Sequence, residues 1–119
     1  MMRGHGSGHP DRVAVVTGGT RGIGRAVCEL LEAEGARVVP VAQSTGIDVT
    51  VADAGERVLE AAGGSVDILV NNAGTSYVKA LEDLDDGDWR DLYELHVVAS
   101  ARLMRAVVPG MASRGWGAW

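Results

Sequence analysis

Thr17-Gly18-Gly19-Thr20-Arg21-Gly22-Ile23-Gly24 is the stretch of this chain that decides its fold. An apolar run, Val13-Ala14-Val15-Val16, precedes it, and an amphipathic segment that begins at Ile23 follows it. A strand, a glycine turn and a helix in this order are typical of a loop that binds the pyrophosphate of a dinucleotide. Unpaired N–H groups at a helix start attract anions, and glycines let phosphates approach the backbone. A glycine turn that binds nothing is the alternative, and the flanking strand and helix favour nucleotide binding.

Size and composition limit the class of protein. The chain has 119 residues, of which 46% are hydrophobic and 23% charged, as expected for one globular domain. The net charge of −5 argues against nucleic acid as a partner, because phosphate contacts need clustered basic residues. We expect no membrane span, since no apolar run approaches the roughly 18 residues required. We also expect no secretion signal, since the N-terminus has no apolar signal core. The single cysteine, Cys28, is predicted to be a buried, inert thiol and is typical of a cytoplasmic protein.

The remainder of the chain alternates predicted strands and helices. Residues 1–10 are rich in glycine and histidine, and we expect a disordered tail that binds no metal. Strands are predicted at 11–16, 36–42 and 66–70, with a short piece at 47–49, and helices at 22–34, 51–62 and 89–112. This alternation indicates an α/β fold with a parallel sheet and right-handed crossovers.

Helical periodicity predicts which faces and ends pack. In the first helix the apolar stripe is expected to consist of Ile23, Val27, Leu30 and Leu31. Asp88 is the expected N-cap of the long helix, and Pro109 is expected to bend or interrupt its last turn. Pro40 predicts a strand end or a bulge in the second strand.

Three motifs, in this order, resemble the short-chain dehydrogenase/reductase family. The glycine loop has the family's TGxxxGxG spacing, Asp48-Val49 is similar to its short motif after the third strand, and Asn71-Asn72-Ala73-Gly74 is similar to its NNAG turn. The ending Val107-Val108-Pro109-Gly110-Met111 of the long helix also resembles the family. The resemblance implies a Rossmann-like three-layer αβα fold with a parallel sheet of strand order 3-2-1-4. Residues 11–119 would then form an incomplete NAD(P)-binding domain, the first half of a doubly wound fold.

The resemblance also implies a set of cofactor-binding residues. They are Gly18, Thr20, Arg21, Gly22, Ile23, Gly24, Gln43, Asp48, Val49, Asn72, Ala73 and Gly74. The loop glycines and Ile23 would meet the pyrophosphate and the adjoining ribose. Asp48 and Val49 would meet the adenine, and the Asn72–Gly74 turn would flank the ribose.

The type of cofactor depends on the end of the second strand. An acidic residue there would bind the 2′-hydroxyl of NAD, but the equivalent positions are Ala42, Gln43 and Ser44. Arg21 precedes the second glycine of the motif, where NADP-preferring relatives often carry a basic residue. A guanidinium can hold a 2′-phosphate through two parallel hydrogen bonds. We therefore expect NADP(H) rather than NAD(H), with an ordinary exposed Arg21 side chain as an equally weighted alternative.

The catalytic residues of the family have no counterpart in this chain. They are a serine after the fifth strand and a Tyr-x-x-x-Lys pair, in which the tyrosine is the general acid or base. At that spacing Tyr77 and Tyr93 are followed by Leu81 and Val97. We therefore predict no catalytic residue and expect the chain to be inactive alone, because the proton that accompanies a hydride needs a group to move it.

His96 stands where the family carries an asparagine that relays protons. An imidazole titrates near neutral pH and could serve as a relay. An ordinary helix residue is the preferred interpretation, because the lysine that would complete the relay is missing.

The leading hypothesis is an NAD(P)-dependent oxidoreductase that transfers a hydride between nicotinamide and a carbonyl or alcohol, with this chain as its cofactor-binding half. The alternatives are a non-catalytic dinucleotide-binding or interaction module and the product of a broken reading frame. An incomplete sheet would leave an open edge and an uncovered side of the 89–112 helix, so we expect the isolated chain either to self-associate through both or to be marginally stable. A small-molecule dinucleotide is the expected partner, and nucleic acid, a membrane and a metal are not.

Overall fold

A parallel sheet with β1 (Val13–Thr17) at its centre forms the middle layer of the computed structural model. The structure describes residues 11–74 and 79–119, so the predicted tail lies outside the described residues. β2 (Arg37–Val41) pairs with one side of β1 and β3 (Ile68–Val70) with the other, which gives the order β2-β1-β3. The apolar side chains of β1 from position 14 to position 16 are fully buried, as expected for a central strand covered on both faces.

Helices cover both faces of this sheet. α1 (Gly22–Ala33) packs against β1 and β2 on one face, where Ala14, Ala36 and Ile68 form a small core. α2 (Ala54–Ala61) and α4 (Ala99–Arg114) pack together on the other face. The larger core on that side consists of Val15, Val41, Val49, Ala54, Val58, Ala62, Val66, Leu69, Ala99, Leu103, Val107 and Met111. The α/β fold with three layers and a parallel sheet is as predicted from the sequence.

The short piece at 47–49 does not form a strand, so the predicted order 3-2-1-4 is wrong at its first position. The other three strands take the predicted order. After β2 the chain enters a 3₁₀ turn over Gln43–Thr45 and then reverses at Gly46, whose φ is +88°. Asp48 next accepts hydrogen bonds from the backbone and hydroxyl of Thr50. These local bonds turn the chain toward α2 instead of extending it along β2.

β2 is consequently an edge strand, which accounts for Pro40. The strand continues through Pro40, which lies opposite Val16 in regular register, and ends at Val41. The expected bulge at Pro40 is therefore wrong, whereas the alternative of a strand end is correct to within one residue. An edge strand tolerates a residue without an N–H group, because one side of the strand makes no ladder hydrogen bonds.

The buried face of α1 is rotated from the predicted stripe. Gly24 and Cys28 are the buried residues of the helix, whereas Ile23 and Leu30 are 77% and 63% exposed. The close approach of the glycine loop selects this face, because Gly24 is the residue small enough to lie beneath it. The prediction of a buried Cys28 is confirmed, and burial raises the pKa of its thiol.

The long helix begins earlier and ends later than predicted. It comprises α3 (Asp86–Tyr93), a π-helical turn over Glu94–Val98 (the π-turn) and α4. Asp85 is the N-cap and accepts from the backbone N–H of Asp88, whose carboxylate accepts in return from the backbone N–H of Asp85. Asp88 is thus part of the capping pair and not the N-cap itself. The helix also continues through Pro109, and its irregular geometry lies at the π-turn instead.

The edge of β3 carries the last residues of the chain. Ala118 donates to Asp67 O at 3.0 Å and accepts from Leu69 N at 2.9 Å, forming a parallel bridge beside Ile68. The expectation of an open edge at this strand is therefore wrong over these positions. Elsewhere in the chain, a second 3₁₀ turn lies at Leu81–Asp83. In the two described ranges no helix has the length and apolar character that crossing a bilayer requires.

Candidate functional site

The glycine loop lies at the carboxyl end of β1 and packs tightly on the first turn of α1. Gly18 and Gly22 have φ angles of +66° and +59°, which glycine adopts without strain. A Cβ at Gly24 would lie 2.1 Å from the carbonyl oxygen of Gly18 and 2.6 Å from Nδ2 of Asn72. Gly18 also donates to Val41 O at 2.7 Å, which joins the loop to the end of β2. Glycine is therefore required at position 24 for space and at position 18 for conformation.

Thr17 connects this loop to the Asn71–Gly74 turn. Its hydroxyl accepts from the backbone N–H groups of Asn72 and Ala73 at 2.9 and 2.8 Å, and donates to Val70 O at 3.3 Å. The side chain of Asn72 donates to Gly18 O at 3.3 Å. Since Thr17 is only 1% exposed, these bonds satisfy a buried hydroxyl and fix two distant motifs against each other. Sequence reasoning did not assign Thr17 this role.

The Asp48–Thr50 turn forms a second wall of the same region. Oδ1 of Asp48 accepts from the backbone N–H of Thr50 at 2.9 Å and from its hydroxyl at 2.6 Å. These bonds stabilise the carboxylate and lower the pKa of Asp48, with the hydroxyl of Thr50 as the largest cause. Arg102 of α4 donates to Thr50 O at 3.2 Å from behind the turn. The sequence pattern offered no indication of this contact, because 52 residues separate the two partners.

The two walls enclose a cleft of about 1040 Å³ across the carboxyl ends of the strands. The predicted site residues that line it are Gly18, Thr20, Arg21, Gly22, Gln43, Asp48, Val49, Asn72, Ala73 and Gly74. Two predicted residues do not line it, because Gly24 lies beneath the loop and Ile23 points to solvent. The lining residues that the sequence reasoning missed are Val41, Ile47, Thr50 and Leu95.

The first turn of α1 faces this cleft through Gly22. Among the described residues no side chain caps the helix start, where Arg21 is the N-cap residue, and no acidic residue lies in its first turn. The first N–H groups of the helix are therefore available to an anion, and the helix dipole adds partial positive charge. Arg21 is exposed and lines the cleft beside them. The arrangement can accept a phosphate-bearing ligand.

The π-turn brings His96 against the rim of the cleft. A Cβ at Gly74 would lie 2.5 Å from Cε1 of His96, so the imidazole lies directly on the backbone of this glycine. The neighbouring Leu95 lines the cleft itself. Over residues 11–74 and 79–119 no cluster of three or more His, Cys, Asp or Glu side chains could hold a metal ion. Tyr77 and the other residues of the range 75–78 lie outside the described residues.

A glycine loop after the first strand of a parallel sheet, with a cleft across the strand ends, defines a Rossmann-type α/β fold. The family model for short chain dehydrogenase matches residues 12–57 and 41–118. The chain therefore belongs to the short-chain dehydrogenase/reductase family, as its motifs predicted.

Individual relatives agree with this assignment. A 3-oxoacyl-acyl-carrier-protein reductase of Vibrio cholerae is 36% identical over 126 residues, a match that covers 89% of this chain and 52% of the reductase. The crystal structure of L-sorbose reductase from Gluconobacter frateurii, complexed with NADPH and L-sorbose, superposes with a TM-score of 0.80 at 33% identity, covering 95% of this chain and 52% of that one. A metagenomic short-chain oxidoreductase in complex with NADP has a TM-score of 0.78 at 32% identity, covering 92% and 59%. The chain spans about half the length of the curated relatives it matches.

Proposed function

We propose that this chain is the cofactor-binding half of an NAD(P)-dependent oxidoreductase. The observation that carries the proposal is the cleft, where ten of the twelve residues named from the sequence motifs meet at the strand ends. The bound nicotinamide would exchange a hydride with a carbonyl or alcohol carbon. This chain holds no Tyr-x-x-x-Lys pair, so we expect it to bind the cofactor without turnover.

Each wall of the cleft would bind a different part of the dinucleotide. The uncapped start of α1, together with Gly18 and Gly22, suits the pyrophosphate. The Asp48–Thr50 turn would meet the adenine, where the Asp48 carboxylate, held by the backbone N–H and hydroxyl of Thr50, would accept from the exocyclic amino group. The Asn72–Gly74 turn would flank the ribose. Residues 11–119 form the proposed binding domain.

NADP(H) is the proposed form of the cofactor. Arg21, Gln43 and Ser44 all line the cleft, and none of them is acidic. A 2′-phosphate at this point would gain a charge-assisted hydrogen bond from the guanidinium, whereas the 2′-hydroxyl of NAD would find no carboxylate. The NADP and NADPH of the two structural relatives support the same choice.

Calorimetric titration with NADPH and NADH tests this function. We expect the chain to bind NADPH more tightly than NADH. Arg21→Ala should weaken the affinity for NADPH by about tenfold, because one charge-assisted hydrogen bond is lost, and should leave the affinity for NADH unchanged. Arg105→Ala, an exposed arginine on α4, is the matched control. Binding of neither cofactor contradicts the proposed function and leaves the non-binding alternatives. A loss confined to NADH contradicts the choice of NADP(H).

Self-association is the second proposal for the chain as it stands, and its support lies on α3 and the π-turn. Trp89, Tyr93 and Val97 are 51%, 61% and 48% exposed, and a surface concavity of about 820 Å³ lies along the same helix. Burying this surface against a second copy would remove apolar area from water. Sedimentation velocity should show a dimer that Trp89→Ser converts to a monomer, with Trp119→Ser as control. A wild-type monomer would contradict this proposal.

The cytoplasm is the proposed location. The thiol of Cys28 is free and buried, which suits a reducing compartment. Cell fractionation tests this, and recovery of the chain in a secreted or membrane fraction would contradict it.

A further inference from the structure

Arg102 is a charged side chain of α4 that reaches the back of the Asp48–Thr50 turn. Its side chain is only 18% exposed. Nη1 donates to Thr50 O at 3.2 Å and lies 3.5 Å from Val49 O, while Nη2 lies 3.4 Å from Oε1 of Glu94. A guanidinium is a planar fork of five donors, so one Arg102 can contact two carbonyls and a carboxylate at once.

The contact exists because α2 and α4 approach each other closely at this level. A Cβ at Gly55 would lie 2.7 Å from Cβ of Ala106 and 3.7 Å from the backbone oxygen of Arg102. The turn that leads into α2 is thereby held beside the first turns of α4. Val49 is buried in the same core as Leu103, the residue that follows Arg102. The guanidinium thus has a fixed approach to the turn.

The far side of the turn faces the cleft. Asp48, Val49 and Thr50 all line it, and the carboxylate of Asp48 is held by the backbone N–H and hydroxyl of Thr50. The carbonyl of Thr50 is held in turn by Arg102. A continuous chain of hydrogen bonds therefore runs from the Asp48 carboxylate through Thr50 and Arg102 to Glu94.

Glu94 ends this chain on the π-turn, immediately before Leu95, which lines the cleft, and His96, which lies against Gly74. The ion pair is partly exposed, with Glu94 42% accessible, so its own contribution to stability is small. The ion pair matters more for geometry than for stability, because the Glu94 carboxylate orients the Arg102 guanidinium and so fixes which carbonyls it can reach.

We infer that Arg102 is a positioning residue that holds the Asp48–Thr50 turn where the adenine end of the dinucleotide binds, with Glu94 fixing the guanidinium. This inference rests on the proposed function. Loss of Arg102 leaves the carbonyl of Thr50 unpaired, and the turn is then free to shift relative to the pyrophosphate site on α1. The effect falls on one end of the ligand only.

Two ligand fragments separate this role from general destabilisation. Adenosine 2′,5′-bisphosphate probes the adenine end and nicotinamide mononucleotide probes the other, each titrated by NMR. We expect Arg102→Met to weaken the adenosine fragment by about tenfold and the nicotinamide fragment by less than about twofold. Arg102→Lys should recover part of the affinity, since an ammonium can donate to one carbonyl. Arg105→Met, on the exposed face of the same helix, should change neither.

Each other outcome contradicts a definite claim. If a folded Arg102→Met variant binds both fragments as the wild type does, or loses affinity for both equally, the positioning role is overturned and the proposed function is not. A wild-type chain that binds neither fragment nor NADPH overturns the proposed function and this inference with it. Should Arg102→Met not fold, Arg102→Lys and Glu94→Gln carry the test. Each is expected to weaken the adenosine fragment alone, by about twofold to fivefold, and an unchanged ratio in both overturns the role.

Discussion

Gly24→Ala is the substitution that tests the packing of the glycine loop on α1 most severely. The added methyl carbon would lie 2.1 Å from the carbonyl oxygen of Gly18 and 2.6 Å from Nδ2 of Asn72. Neither neighbour can move freely, because that carbonyl accepts the hydrogen bond of the same Asn72 amide. The helix start must therefore shift away from the loop.

The size of the effect follows from this geometry. Overpacking typically costs about 1–3 kcal/mol, and a clash with backbone rather than a flexible side chain lies at the upper end. A domain of this size loses about 4 °C of Tm per kcal/mol, so we expect Gly24→Ala to lower Tm by about 12 °C.

Thermal unfolding followed by circular dichroism measures this shift. Glu29→Ala is the matched control, since Glu29 lies on the solvent side of α1, 66% exposed, in an ion pair with Arg25 that contributes little. We expect the control to stay within about 2 °C of the wild type. A Gly24→Ala variant with the Tm of the control would refute the close contact between loop and helix.

Three further substitutions or measurements test separate parts of the structure. Thr50→Val removes the hydroxyl that lowers the pKa of Asp48, so an NMR titration should show this pKa rise toward its ordinary value. The ionised carboxylate stabilises the fold above its unfolded pKa of about 3.9, and this stabilisation is lost as the pH falls through the lower pKa of the folded state. Acidification below about pH 4 should therefore reduce the free energy of unfolding less in the variant than in the wild type. An unchanged pKa of Asp48 would refute the contact. Asp67→Ala removes the carboxylate that accepts hydrogen bonds from the backbone N–H of Val13 in β1 and from the guanidinium of Arg114. The free energy of unfolding, measured in urea, should fall by about 1–3 kcal/mol. An unchanged unfolding midpoint would contradict this role. The thiol of Cys28 is buried with a raised pKa, so a disulfide reagent should modify it at least about a hundredfold more slowly than in urea, and equal rates would show that it is exposed.

The glycine loop could be predicted because its determinants are local. Gly18 and Gly22 supply positive φ angles within the loop itself, and α1 begins at Gly22 as the pattern indicated. The alternation of apolar runs and helical segments likewise sufficed to predict an α/β fold with a parallel sheet, and the family resemblance supplied the three layers. These features depend on residues a few positions apart.

Faces and short elements were harder to predict, because tertiary contacts decided them. Periodicity ranks Ile23 and Leu30 as core residues of α1, yet the loop above the helix admits only a residue as small as Gly24. Ile47 and Val49 have the apolar pattern of a strand, but side-chain bonds of the intervening Asp48 turn the backbone instead.

The residues that join the motifs left no pattern in the sequence. Thr17 contacts Ala73 across 56 positions, and Arg102 contacts Thr50 across 52. A hydroxyl or guanidinium gains such a role only when the fold brings a free carbonyl or N–H group within reach. No rule of residue spacing along the chain predicts such a long-range contact.

The central claim is that the cleft across the strand ends binds a dinucleotide along its whole length. Amide chemical-shift mapping with NADPH tests it most directly, because every segment of the cleft reports independently. We expect the shifts to fall on three separate segments, the Gly18–Gly24 loop, the Asp48–Thr50 turn and the Asn72–Gly74 turn, at the same saturation. Shifts that are absent from these segments, or that fall instead on the exposed Trp89 and Tyr93 surface, would contradict the claim.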